Sequence, residues 1–431
     1  MAAQSKATGD NPVTPSKQQT EEYILVCAAS FFMLAFNMGA LMNIRSLILD
    51  EALKVAGSKQ STAALLGLTG TLGSLAEFVI CPALGRYSDS VGRKGLITGS
   101  LTVTMLSELM MFSRSTSLTS LIAAGVVSTA SMTSFITILR AGLSDRLSGT
   151  DLGVAHARLG IAAGLSVILG PLAASTLAAK LGNRYVYLMC AGMTALNITT
   201  LSLKLDETLA PENRKKMNWA EASPLSFVKL LGFGNKLRLC SVALALQTIA
   251  EPRYILPYAT LIWRERYNYD TQTLGQLSSV FGLAYTVGAF VAKKRMKQIG
   301  AKRHVTESNL ANIVAWLIWS RFTSFSGSCA AYATFIPGIR KRDGLEVMIT
   351  DYGAAHGWGK GEISAMMNNF KSLSAVLAPS IFAKAYTTMT TNGRDFPGAP
   401  MMAGGLVTVA SQVLYMAMLA SPDEPPSAKS M

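Results

Sequence analysis

The chain has 431 residues, of which 50% are hydrophobic and 15% are charged, against about 25% charged residues in an ordinary soluble domain. Its 39 lysines and arginines outnumber 25 aspartates and glutamates, for a formal net charge of +14. This composition excludes a disordered, collagen-like or disulfide-stapled chain, and it disfavours a soluble two-domain enzyme. A membrane-spanning helix needs roughly 20 mostly apolar residues, so the length accommodates many of them and favours a polytopic membrane protein.

Twelve windows are apolar enough to be predicted as membrane-spanning helices. Six of them contain no Asp, Glu, Lys or Arg, which a core helix of a soluble protein seldom achieves over such a length. A backbone in lipid must satisfy its own hydrogen bonds, so these windows are predicted as helices and not as open strands. They are 23–43, 62–84, 95–113, 119–139, 159–179, 185–203, 239–258, 273–292, 305–325, 327–349, 363–383 and 399–420.

The distribution of basic residues predicts the orientation of these helices. An even number of spans puts both termini on one side, and the loops and tails on that side hold 23 of the lysines and arginines, against 10 in the opposite loops. Cytoplasmic loops are enriched in lysine and arginine. We therefore predict an integral multi-pass protein with both termini in the cytoplasm. The basic excess then reflects topology, and no nucleic-acid partner is expected.

The chain divides into two related halves. Ser166–Pro171 in the fifth window lines up with Ser374–Pro379 in the eleventh, and the loop around Gly92 lines up with the loop around Gly300, both at an offset of 208 residues. Duplicated six-helix halves are typical of secondary transporters, which bind their substrate between them. The predicted fold is all-α, with twelve transmembrane helices in two pseudo-symmetric six-helix bundles. The predicted regions are an N-terminal tail 1–22, a first bundle 23–205, a cytoplasmic central loop 206–236, a second bundle 237–420 and a C-terminal tail 421–431.

One loop carries a specific motif. The stretch between the second and third windows reads GRYSDSVGRK, residues 85–94. It resembles the G-x-x-x-D-x-x-G-[RK]-[RK] signature of the major facilitator superfamily at every defining position. The resemblance implies the major facilitator fold. It also implies glycines that let helix ends approach closely, and charged residues whose ion pairs with neighbouring helix ends form and break during transport. The defining residues are Gly85, Asp89, Gly92, Arg93 and Lys94.

Within that superfamily, the chain is similar to the tetracycline-efflux-like branch of drug:proton antiporters. The similarity rests on Gly164 ahead of Gly170 and Pro171 in helix five, and on the stretch Asp206–Leu209 after helix six. The resemblance implies a helix-five motif formed by these two glycines and the proline.

The chain also departs from that branch. Leu121 stands at the best-aligned position of the helix-four arginine that antiporters tie to proton coupling. Ala174 and Ser175 replace an expected glycine pair, and Lys297 occupies the second-half position that corresponds to Asp89. These differences argue against a proton-coupled antiporter more than they argue against a transporter.

Charged residues inside a span cost about 2.5–3.5 kcal/mol on insertion scales, so each implies a cavity or a partner. Helix seven holds Glu251 and Arg253 on either side of Pro252. Because proline frees a backbone carbonyl and permits a kink, this stretch is a candidate binding and gating device. The alternative is a Glu–Arg pair that stabilises packing against a neighbouring helix.

Four further residues are candidates for substrate or ion contacts. Lys371 and Asn368 on helix eleven share one face, and they point either to a cavity or to helix–helix hydrogen bonds. Glu77 on helix two is a candidate proton carrier or a structural tie to the signature loop. Asn37 on helix one is a candidate as well, although a polar bridge between helices is the favoured reading.

Helix ten can be read in two ways. If it runs over 327–349, then Arg340, Lys341 and Arg342 lie near mid-membrane and need an aqueous cavity with anions or paired carboxylates. If it ends near Ile339, these cations are cytoplasmic. The first reading is slightly favoured. It would make a central site with Arg253 and Lys371 cationic and suited to anions.

These observations predict a secondary active transporter that moves a small drug-like or organic-anion substrate by alternating access, with protons as a candidate coupling ion. The alternative is a transport-inactive sensor or adaptor of the same fold. The five cysteines and three histidines show no metal-ligand spacing, and no arrangement of residues indicates an enzyme. We expect no metal and no cofactor. The expected partners are the substrate and the lipid bilayer, and the expected state is a monomer.

Overall fold

The computed structural model describes residues 17–57, 61–147, 149–209, 211–214, 223–232, 234–358, 360–390 and 395–422. These residues are almost entirely helical. The α-helices are α1 Lys17–Val55, α2 Thr62–Val91, α3 Lys94–Ser113, α4 Leu118–Arg146, α5 Gly149–Leu181, α6 Arg184–Lys204, α7 Val228–Gly232, α8 Asn235–Ile249, α9 Pro252–Tyr267, α10 Thr271–Arg321, α11 Phe325–Phe335, α12 Lys341–Ala355, α13 Lys360–Thr390 and α14 Ala399–Ala420.

Twelve membrane crossings follow from these helices, which confirms the predicted fold class. In the described part of the chain, eight helices are long and apolar enough to cross a membrane on their own, namely α1 to α6, α10 and α14. α10 makes two crossings because it folds back at Gly300. The remaining crossings are made by α8 with α9, by α11 with α12, and by α13.

The turn at Gly300 has a counterpart in the first half. Gly300 adopts φ 77° and ψ 166° between the two arms of α10, and Gly92 adopts φ 112° and ψ 168° between α2 and α3. Positive φ favours glycine, which lacks a Cβ. The two glycines therefore form turns of the same kind at the repeat offset that the sequence predicts.

The two halves pack together more extensively at one end than at the other. We call the end at which α1 begins and α14 ends the terminal face, and the opposite end the distal face. A single hydrophobic cluster spans both halves toward the distal face, from Leu47 on α1 to Trp263 on α9 and Phe382 on α13. Toward the terminal face the packing divides into a first-half cluster around Leu143 and a mainly second-half cluster around Met366, which also includes Phe78 of α2.

Hydrogen bonds between the halves reinforce the distal closure. The Asn43 amide on α1 donates to the Leu274 carbonyl at 2.9 Å and to Ser278 Oγ at 2.8 Å, both on α10. Asn43 Oδ1 accepts from Thr260 Oγ1 of α9 at 2.9 Å. These groups are buried, so they replace lost water contacts with each other.

Candidate functional site

The first element of the site is a break between α8 and α9. Glu251 has extended backbone angles (φ −83°, ψ 135°) and Pro252 is the first residue of α9. Proline is tolerated at a helix start, where its missing N–H has no intrahelical partner. The break leaves the carboxylate of Glu251 inside the bundle, with 14% of its side chain exposed.

The second element is a break between α11 and α12, where a 3₁₀ turn spans Ile336–Gly338. Such a break frees backbone carbonyls, which must find other donors inside a membrane protein. Ser308 Oγ donates to the Pro337 carbonyl at 3.1 Å, and Asn312 Nδ2 donates to the Gly338 carbonyl at 2.7 Å. The second arm of α10 thus stabilises this break. The helix does end near Ile339, but the chain continues as α12 to Ala355. Arg340, Lys341 and Arg342 therefore lie at a break between two helices and not in a loop after the last turn.

Lys341 connects the two breaks. Its ammonium group donates to the carbonyl of Ala250, the C-cap residue of α8, at 3.1 Å. A cation at a helix C-terminus is favourable because the last carbonyls are unsatisfied and carry partial negative charge. The Lys341 residue is only 3% exposed. It therefore fixes α12 against the end of α8.

An ion network surrounds Glu251. One carboxylate oxygen lies 2.6 Å from Nε of Arg253, and the other pairs with Arg342 of α12. Two further ion pairs lie nearby: Arg340 with Asp343 at 3.0 Å at the start of α12, and Lys371 of α13 with Glu346 of α12 at 2.9 Å.

Basic side chains exceed acidic ones in this network, by five to three. The basic residues are Arg253, Arg340, Lys341, Arg342 and Lys371, and the acidic residues are Glu251, Asp343 and Glu346. Over half of the Arg253 side chain (56%) is exposed although it lies midway along the bundle. A small cavity adjoins the network, lined by Glu251, Pro252, Phe281, Tyr285, Asn312, Phe335, Ile339, Lys341 and Arg342.

The first half contributes charges to the same region. Arg140 near the end of α4 is exposed and lies within electrostatic range of Arg340 and Glu346. Glu77 on α2 lies within electrostatic range of Arg253 and Glu251. The site is therefore bordered by both halves, and its strongest charges come from the second.

The structure brings together most of the predicted site residues. Glu251, Arg253, Arg340 and Arg342 lie at the two breaks, and Lys371 lies within electrostatic range of Glu251. Asn368 is exposed on α13.

Asn37 lies elsewhere, among the first-half helices. Its amide donates to Glu108 on α3 at 3.2 Å and to Thr194 on α6 at 2.9 Å. This is the polar bridge that the sequence analysis favoured for Asn37.

Three residues of the central region were missed by the sequence analysis as site candidates. Lys341 was noted only as part of a basic run, because its partner carbonyl belongs to a helix end 91 residues away. Glu346 follows Arg342 by four residues, a spacing that places both on one helix face and could have identified it. Arg140 lies one residue beyond the predicted end of helix four, so it counts among the basic residues on the cytoplasmic side.

The signature loop forms an ion network of its own. Arg93 is buried and pairs with Asp89 at 2.6 Å and with Asp145 at the end of α4 at 3.0 Å. Lys94 Nζ donates to the Ser202 carbonyl on α6 at 2.9 Å. Gly85 accepts a hydrogen bond on its carbonyl from Ser88 Oγ. These contacts tie α2, α3, α4 and α6 together at the terminal face.

The segment after α6 completes this network. The Glu207 carboxylate accepts from the backbone amides of Arg93 at 2.8 Å and Lys94 at 3.1 Å, at the start of α3, where unpaired N–H groups favour an anion. Partial burial would raise the pKa of Glu207, but hydrogen bonds from four backbone amides hold it below its usual value. Residue Gly92 leaves the space that the Glu207 side chain occupies.

The helix-five motif serves close packing. A Cβ at Gly170 would lie 2.6 Å from the Phe36 carbonyl oxygen of α1, and a Cβ at Gly164 would lie 2.7 Å from Thr286 Oγ1 of α10. Pro171 lies beside Gly39 of α1. Small residues allow backbones to approach closely where helices pack in membranes. Here they bring α5 against α1 and, across the two halves, against α10.

Fold and site together define a polytopic all-α membrane protein of two six-helix halves, with a charged central site built mainly by the second half. The family model of the Major Facilitator Superfamily matches residues 26–379. The chain belongs to the Major Facilitator Superfamily, and this membership supports a role in transmembrane transport.

Solved structures of transporters share the fold. The human organic anion transporter MFSD10 (TETRAN) has a TM-score of 0.67 at 17% identity, covering 92% of this chain and 99% of that one. A point mutant of the nucleoside transporter NupG has a TM-score of 0.74 at 13% identity, covering 92% and 99%. A D-xylose-proton symporter has a TM-score of 0.73 at 12% identity, covering 92% and 97%. No curated protein sequence matches the chain significantly.

Proposed function

We propose that the protein is a secondary active transporter that moves small organic anions by alternating access around the site at Glu251 and Arg253. The observation that carries this proposal is the pair of adjacent helix breaks, which gathers five basic and three acidic side chains at mid-bundle. Discontinuous helices at the midplane, between two repeats, form the binding sites of many secondary transporters.

The substrate class follows from the excess of basic groups. Arginine presents a planar fork of donors that matches a carboxylate or phosphate group. Arg253 uses Nε on Glu251 and Nη2 on the Tyr254 hydroxyl, yet its side chain remains 56% exposed. An anion that reaches the exposed side of Arg253 can therefore bind this guanidinium directly. The structural similarity to a human organic anion transporter is in keeping with this class.

The arrangement of the halves supports alternating access. The distal face is closed by Asn43 and the shared hydrophobic cluster, whereas toward the terminal face the two halves pack mainly as two clusters that share only Phe78 of α2. The excess of lysine and arginine in the loops of the terminal face supports a cytoplasmic position for that face. We infer that the structure represents the state that is open to the cytoplasm.

Proton coupling is part of this proposal: protons cross the membrane either in the direction opposite to the anion or in the same direction. Glu77 and Glu251 are the acidic groups nearest to Arg253. A change in their protonation would alter the charge that the anion meets.

Flux into proteoliposomes tests the proposal. The full chain is reconstituted, and uptake of a panel of drugs, organic anions and sugars is measured with and without a pH gradient. We expect saturable, gradient-driven uptake of one or more anions. Uptake restricted to neutral or cationic compounds would overturn the anion assignment. Binding of an anion without any flux would favour a transport-inactive sensor or adaptor.

A further inference from the structure

A second polar site lies inside the first half, away from the helix breaks. Glu108 on α3 is 0% exposed. Its Oε1 accepts from Asn37 Nδ2 at 3.2 Å, and its Oε2 lies 2.8 Å from Thr194 Oγ1. The site thus links α1, α3 and α6, the first, third and sixth helices of this half.

The second half bridges its own first, third and sixth crossings without an acid, at positions that are not the repeat equivalents of the Glu108 site. Gln247 on α8 donates to Asn309 on the second arm of α10 at 2.9 Å, and Asn309 donates to Gln412 on α14 at 2.8 Å. These are again the first, third and sixth crossings of a half. Because amides alone bridge the three helices there, a bridging role does not account for a carboxyl group at Glu108.

The geometry at Glu108 suits both protonation states. The Asn37 amide nitrogen also lies 3.0 Å from the Cys190 carbonyl oxygen and 2.9 Å from Thr194 Oγ1. Its two hydrogens are therefore shared among three oxygens, and these contacts keep the NH₂ group on the side of Glu108 Oε1. Oε1 is therefore an acceptor in either state. Across the 2.8 Å gap between Oε2 and Thr194 Oγ1, the threonine hydroxyl can donate to a carboxylate, or a protonated Oε2 can donate to the threonine oxygen.

The charges around Glu108 are few. A buried carboxylate is costly unless it is paired, and no ion pair within 4.0 Å of Glu108 occurs among the residues that the structure describes. Arg45, two helical turns beyond Asn37 on α1, lies within electrostatic range. Its Nε is buried without a hydrogen-bond partner. The titratable groups facing Glu108 from α6 are Tyr187 and Cys190, and α4 carries no ionisable side chain before Arg140.

We propose that Glu108 is a proton-binding site that takes one proton from water to become a neutral acid and later returns it to water, with Arg45 as the countercharge of the deprotonated form. α1 carries Asn37 and Arg45, and it also carries Asn43, which closes the distal face against the second half. Protonation at Glu108 is thereby linked to the helix that joins the halves. Only this link to transport rests on the proposed function.

Infrared spectroscopy tests the proton site without a substrate. The purified full chain in lipid nanodiscs is perfused alternately with acidic and alkaline buffer, and difference spectra are recorded at the C=O stretch of protonated carboxyl groups. We expect a band from a buried carboxylic acid that is lost in Glu108→Gln. The matched control is Glu346→Gln, which removes a carboxylate ion-paired with Lys371 and should leave the band in place.

Survival of the band in Glu108→Gln would overturn the proposal, as would the absence of any titrating band in the wild type. If Glu108→Gln does not fold, Arg45→Gln provides the test, because it keeps the carboxyl group. Loss of a nearby cation should make the band persist to higher pH, by about one unit. An unchanged titration in Arg45→Gln would overturn the role of Arg45. Since no flux is measured, failure here is distinguishable from failure of the proposed transport function.

Discussion

The two halves of the molecule share one helix plan but place their charges differently. In the first half the six helices are continuous, and the buried acid Glu108 lies in a bridge within that half. In the second half two crossings are broken, and each break exposes backbone carbonyls and places charged residues at mid-bundle. The comparison shows that the position of charged residues follows the helix breaks more than the repeat. A backbone carbonyl freed by a break binds a cation, as Ala250 binds Lys341. The cations at the breaks then stabilise the buried carboxylate of Glu251.

The largest effect, a loss of folding stability, is expected at Lys341, which connects the two helix breaks. Lys341→Met removes the donor to the Ala250 carbonyl and one of the cations near Glu251. Removing one partner of a buried charge network costs several kcal/mol, so we expect about 3 kcal/mol of lost stability. Thermal unfolding of the purified protein measures it.

Lys302→Met is the control for this prediction, because Lys302 is exposed at the start of the second arm of α10. Its melting temperature should equal that of the wild type. Equal melting temperatures for both variants would show that the breaks do not depend on Lys341.

A smaller effect, on the transport rate, is expected in the signature loop, where the first half has Asp89 and the second half has Lys297. Asp89→Asn removes the ion pair with Arg93, while Arg93 keeps Asp145. The loop should stay folded, but transport should slow by about tenfold, the equivalent of one charged hydrogen bond. Initial flux rates measure this change. Lys297→Ala, at the corresponding position of the second half, should leave the rate unaltered, and a normal rate in Asp89→Asn would remove the signature loop from the transport cycle.

The smallest effect concerns the segment after α6 and depends on pH. Glu207 has a folded-state pKa below its ordinary value of 4.5, so its contribution to stability is present above pH 4.5 and is lost as the pH falls through the folded-state pKa. The melting-temperature difference between wild type and Glu207→Gln should therefore be constant at neutral pH and shrink in acid. Glu212→Gln, at an exposed position nearby, should show no such difference. A gap that widens in acid would contradict the docking of Glu207 on α3.

Much of the fold could be predicted from the sequence, because membrane crossings are local. Apolar windows and the two loops aligned at Gly92 and Gly300 need only neighbouring residues to be recognised, and both glycines adopt a positive φ in the structure. The break at Glu251 could also be predicted, since Pro252 directly follows.

The site itself could be predicted only in part, because its pairings are distant in sequence. The bond from Lys341 to Ala250 spans 91 residues and that from Asn37 to Glu108 spans 71. Nothing in the sequence around Glu108 indicates that it faces α1 and α6 and not the membrane interface. Helical periodicity identifies which residues share a face, but the neighbour of that face depends on how the helices pack.

The most direct test of the central claim compares uptake of one transported organic anion by wild type and Arg253→Ala in proteoliposomes. The account predicts that saturable uptake is lost in Arg253→Ala, because the exposed guanidinium that receives the anion is gone. It also predicts wild-type uptake in Arg114→Gln, which changes an exposed arginine of the distal face. Unchanged apparent affinity and rate in Arg253→Ala would contradict the account and assign Arg253 to the packing of α9.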